Sequence, residues 1–98
     1  MTTTHQPAVL LQLAERVDAG TGISNALDIE IEMALFNPSD DGFVAVRKNY
    51  ATTKLIYTRR DGSELTCWAG DWTMDRPRAA AALRARAAQA TTTGEDNG

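Results

Sequence analysis

The dipeptide Asp61-Gly62 constrains this chain more than any other feature, because it stands between two β-rich runs, residues 54–60 and 63–69. Asp-Gly in that setting favours a two-residue hairpin turn, whose central positions both need left-handed backbone. The register that follows sets Arg59 opposite Glu64, Thr58 opposite Leu65, Tyr57 opposite Thr66, Ile56 opposite Cys67 and Leu55 opposite Trp68. Arg59 and Glu64 then make a favourable charge pair at the tip. Leu55, Tyr57 and Trp68 fall on one face, with Ile56, Leu65 and Cys67 on the other. Both faces are apolar away from the tip, so helices are expected on both sides of the sheet. Residues 43–48 read as a further strand, with Phe43 and Ala45 on one face and Val44 and Val46 on the other.

Helices are expected on either side of these strands in the chain. Pro7 suits a first helical turn, Val9, Leu10, Leu13, Ala14 and Val17 recur at helical spacing, and Gly20 is a stop, which predicts a helix over 8–19. The next segment is ambiguous. Residues 27–33 alternate apolar and polar as a strand does, yet Leu27, Ile31 and Leu35 also form a four-residue ladder. Ser24 as N-cap, Asp28 in the first turn and the Glu, Met, Leu and Ala content favour a helix over 25–36, buried on more than one side. A last helix over 76–90 opens at Asp75 with Pro77 in its first turn. Its stripe of Ala80, Leu83, Ala87 and Ala90 lets it approach a neighbour closely. The expected fold is therefore α+β: two N-terminal helices, a three-stranded antiparallel sheet, and an Ala-rich C-terminal helix, with helices covering the sheet.

The domain is expected to span 7–90, with residues 1–6 and 91–98 as polar, disordered tails. A core of that size folds alone with a narrow margin. One cysteine (Cys67) and one histidine (His5, in the N-terminal tail) leave no disulfide and no metal staple, so packing or oligomerisation must supply stability. A lone cysteine without a signal peptide, and no apolar run near the ~20 residues that cross a bilayer, predict a soluble, cytoplasmic protein with no membrane partner. No cofactor is implied. Charge is split along the chain: net −6 over residues 1–46, +5 over 47–90 and −2 over 91–98, for −3 in all. Opposite charges held in separate segments point towards binding, to itself or to a charged partner.

Two stretches resemble the phage ABA sandwich domain, a family of small phage and prophage proteins. One runs from Leu11 to Gly22 and on through Ala26, Leu27 and Asp28 to Ala34 and Leu35; the other runs from Ala79 to Ala88. Tyr50, Ala51, Thr52 and Thr53 retain a trace of the family's central strand entry. The likeness covers about half the chain and skips most of the sheet. It implies helices around a small antiparallel sheet, residues 25–36 helical, and a phage or prophage origin. It carries no catalytic motif to transfer.

The residue inventory favours a binding protein over an enzyme, since it offers no usable histidine and no phosphate-cradling glycine loop. The expected partner is a host protein or nucleoprotein complex in the bacterial cytoplasm, most sharply an antiviral defence complex inhibited in anti-CRISPR fashion. The acidic residues Asp28, Glu30, Glu32, Asp40 and Asp41 would face a basic groove, with Trp72 either capping the core or standing out as an aromatic anchor. Asp28 and Glu32 share a helical face and Glu30 does not, so three carboxylates converge on a metal only in the strand reading; an ordinary solvated face is the plainer account. Trp68 is expected in the core and Cys67 as a buried, inert thiol. Arg76, Arg78, Arg84 and Arg86 are candidate anion ligands, but their scatter around the helix argues against direct nucleic-acid binding. The alternatives are a homo-oligomer that pairs acidic and basic halves and binds a small anion such as a nucleotide, and a virion or packaging accessory.

Overall fold

The computed structural model describes residues 7–38 and 42–97, with side chains up to residue 89. In order they form helix α1 (Pro7–Ala19), helix α2 (Asn25–Leu35), strands β1 (Phe43–Lys48), β2 (Leu55–Arg59) and β3 (Glu64–Cys67), a 3₁₀ turn at Trp72–Asp75, and helix α3 (Arg76–Asn97). The strands make one antiparallel sheet in the order β1-β2-β3. This is the α+β arrangement expected. Helix α3 continues past Ala90, where the sequence reading ended it. No proline follows, and the first glycine is Gly94.

The ambiguous segment is helical. Ser24 adopts extended backbone and its hydroxyl accepts from the Leu27 amide, the arrangement of an N-cap. Leu27, Asp28, Ile29, Ile31 and Ala34 are all buried, so α2 is covered on more than one side. Strict alternation from 27 to 33 arises because one set of apolar residues faces the other helices and a second set faces the sheet. Leu27, Ile31 and Ala34 join Leu10, Leu13, Ala14 and Val17 of α1 and Ala79, Ala80, Leu83 and Ala87 of α3 in the main core. The alanine stripe lets α3 lie close along α1. Ile29 and Leu55 are fully buried outside that cluster. Helical spacing puts Ile29 on the side of Phe36, whose ring meets Tyr57 with centroids 5.9 Å apart.

The hairpin departs from expectation by one residue. Leu55 pairs with Cys67, Ile56 with Thr66, Tyr57 with Leu65 and Thr58 with Glu64. The Gly62 amide donates to the Arg59 carbonyl (2.9 Å) and the Arg59 amide to the Ser63 carbonyl (2.8 Å), closing a three-residue loop. Gly62 has φ +92°, the left-handed residue that such loops require. The Asp61 carboxylate takes the Ser63 amide and hydroxyl, which hold it below the usual carboxylate range and favour the longer loop.

A one-residue slip re-sorts every side chain. Leu55, Tyr57, Leu65 and Cys67 now share one face, and Ile56, Thr58, Glu64 and Thr66 share the other. In β1 a register shift between Phe43 and Ala45 re-aims Phe43, whose ring lies 5.2 Å from that of Tyr57, on the same face as Val46. The sheet therefore has one apolar face, turned towards α2, and one open, polar face. Helices on both sides of the sheet are not what forms. The least dimension of the molecule is 19 Å, about two layers. No helix among the described residues is long and apolar enough to cross a membrane.

Candidate binding surface

Two of the three acidic residues of α2, Asp28 and Glu32, are committed inside the molecule. Asp28 is 4 % exposed, and its carboxylate accepts the Thr73 amide at 2.7 Å. Thr73, equally buried, accepts the Ser24 amide through its hydroxyl at 2.8 Å, so the 3₁₀ turn is latched to the start of α2. Glu32 accepts the Tyr57 hydroxyl at 2.9 Å, the Trp72 indole N–H at 2.6 Å and the Gly70 amide at 3.4 Å. Burial, then the bond and charge of Glu32, push the Tyr57 hydroxyl well above its ordinary pKa. Glu30 is bridged twice by Arg16, at 2.8 and 3.2 Å, a hydrogen bond that holds its carboxyl below the usual range. Asp28 and Glu32 are thus turned inward rather than presented as an acidic surface, while Glu30 stays 40 % exposed in its bridge to Arg16. Carboxylates turned inward need hydrogen-bond donors, and the 3₁₀ turn and the sheet supply them. Asp40 and Asp41 lie outside the described residues, as does His5. No group of three or more metal-ligating side chains occurs among the described residues.

The arginines of α3 are mostly spent in the same way. Arg76 donates to the carbonyls of Val17 (2.8 Å), Gly22 (3.0 Å) and Thr21 (3.3 Å), closing the C-terminal end of α1. Gly20 makes room for it, since a Cβ there would stand 2.7 Å from the guanidinium. Arg86 donates to the carbonyls of Leu35 and Phe36, both at 3.3 Å, at the end of α2. Arg84 pairs with Asp18 at 2.6 Å. These guanidinium groups satisfy orphan helix carbonyls or a carboxylate, which leaves them poor ligands for an external anion. Arg78 is exposed beside a shallow hollow of about 340 Å³, where Asp71 and Asp75 offset its charge.

The tryptophans exchange the places expected for Trp68 and offered to Trp72. Trp72 packs against the main core and ends on Glu32, so it is no free anchor. Trp68 is 64 % exposed. The shifted register carries it to the open face, in line with Glu64 and Thr66, and Lys54 holds its ammonium 4.8 Å from the ring centroid. Cys67 is half-buried rather than sequestered.

The sheet and its hairpin carry an excess of basic side chains. Residues 43–68 hold five basic and two acidic side chains. Asp61 is engaged in its own turn, and Glu64 is paired with Arg47 at 3.0 Å across the open face. Sequence reasoning missed this surface because the register was wrong. The signal was present: Lys54, Ile56 and Thr58 alternate in β2 and its lead-in as Glu64, Thr66 and Trp68 do in β3, a polar row with one aromatic.

Compared with known proteins, no family model matches this chain, and neither does any curated protein or solved structure. The resemblance to the phage ABA sandwich domain therefore stands on its quoted residues alone.

Proposed function

We propose that this chain is a non-enzymatic binding protein that engages a host macromolecule through the open face of its sheet, with Trp68 as the anchor. The observation that carries this reading is the 64 % exposure of Trp68 beneath Lys54. A tryptophan left in water, on strands whose opposite face is packed, has the character of the residues that dominate interfaces. The phage likeness supports a bacterial host as the setting, and inhibition of an antiviral defence complex is the sharpest form of the proposal. The acidic residues of α2 are less suited to that role, since Asp28 and Glu32 are spent on bonds within the fold and Glu30 is paired with Arg16.

The test is affinity capture from a bacterial host with the tagged chain, together with phage plating on hosts that carry an active defence system. A defined host component should be captured and plating should rise. Trp68→Ala should lose both while its urea midpoint stays put, since replacing an exposed side chain changes stability by about 0.5 kcal/mol or less. Undiminished capture by Trp68→Ala refutes the reading.

A further inference from the structure

We infer that the open face of the sheet is a stacking surface for single-stranded nucleic acid. This rests on the reading just given for Trp68 and names its occupant. Along that face stand Lys54 and Trp68 at one end, Ile56 and Thr66 next, and Thr58 and Glu64 towards the hairpin, with Arg47 alongside. Glu64 is the sole carboxylate among these residues, and Arg47 neutralises it. Arg60, exposed in the turn, adds a cation at the tip. Lys54 and Arg47 less Glu64 leave this face net +1, and Arg60 at the tip brings it to +2, so an anionic chain meets a cation at each end.

Single-stranded nucleic acid fits better than a protein surface for a chemical reason. A protein partner gains most from a contiguous apolar centre, and this face has only half-buried Ile56 beside Trp68, with threonines and charges around them. A nucleobase needs one exposed aromatic plane, and every base has a π-face to offer it. Lys54 occupies part of the ring's surroundings and the indole is still largely open, so a base can stack while the ammonium meets the adjoining phosphate. A sheet with strands of four to six residues has room for about two or three bases, which a duplex cannot present unstacked.

Fluorescence anisotropy with labelled single strands of about 12 nucleotides, an oligothymidylate and a mixed-sequence RNA, tests the inference on the intact chain at about 50 mM salt. Saturable binding is expected, weakened about tenfold or more by Trp68→Ala, and largely restored by Trp68→Phe. Lys54→Glu should weaken it too, and log affinity should fall against log salt with a slope of about −2, as for two or three phosphates. Absence of saturation up to about 100 μM, indifference to Trp68→Ala, or displacement by polyglutamate as effectively as by oligonucleotide each overturns the inference. If oligonucleotides fail to bind while host capture still depends on Trp68, the occupant is a protein and only this inference falls. If capture is also indifferent to Trp68, the functional reading falls with it.

Discussion

Asp28 and Glu30 lie two residues apart in one helix, yet their carboxylates have different consequences. Asp28 is buried and takes the amide of Thr73, so removing it strands a buried donor as well as losing a bond. Asp28→Ala should therefore destabilise the protein by about 2–3 kcal/mol in urea denaturation. Glu30 pairs with Arg16 in a bridge whose side chains are 40 % and 58 % exposed, where water and salt weaken the attraction. Glu30→Ala should cost about 0.5 kcal/mol or less by the same measurement, and equal losses for the two variants would contradict this account. Tyr57 adds a pH dependence of definite sign. Its hydroxyl keeps its proton to higher pH in the folded state than in the unfolded chain, because burial and Glu32 oppose the phenolate. Its contribution is complete below about pH 10, the unfolded value, and is lost as pH climbs beyond that. The stability of Tyr57→Phe should fall less steeply above pH 10 than that of the parent.

At the scale of elements, α3 is a clamp more than a charged face. Two of its arginines reach the C-terminal ends of the other two helices, where backbone carbonyls lack partners and the helix dipole favours a cation. Arg76→Ala, which frees three carbonyl bonds, should lower stability by about 2 kcal/mol, and Arg86→Ala by about 1 kcal/mol. Arg78→Ala, whose side chain is exposed, should leave the urea midpoint nearly unchanged. Equal effects for Arg76 and Arg78 would show that the caps do not matter. The hairpin makes the complementary point. Its existence was legible from Asp61-Gly62, and its register was not, because a turn of two residues and one of three both use glycine there. The hydroxyl of Ser63, bonded to Asp61, sits on the side of the longer loop. A slip of that size decides which residues are core, and it moved Trp68 outward.

On the scale of the whole molecule, folding bridges the acidic and basic segments of the chain, since Asp18 of the first meets Arg84 of the second. The other ion pairs among the described residues stay within a segment, Glu30 with Arg16 in the acidic one and Arg47 with Glu64 in the basic one. The helices were readable from periodicity and caps: Ser24 and the Ala80, Leu83, Ala87 stripe do what local rules require, while Gly20 ends α1 without left-handed backbone and makes room for Arg76 instead. The buried sides of α2 were readable too, since apolar residues circled much of that helix. The candidate surface was not, because Trp68 and Lys54 meet only through a strand pairing that local signals leave open by one position. The sequence alone therefore determined the kinds of element and their approximate limits, which depend on propensities, periodicity and capping within a few residues. Tertiary structure alone decided which charges face water and which of the two tryptophans stays exposed. Those outcomes depend on desolvation and pairing between groups as many as 66 residues apart, as in Arg84 and Asp18, and short-range patterns carry no record of them.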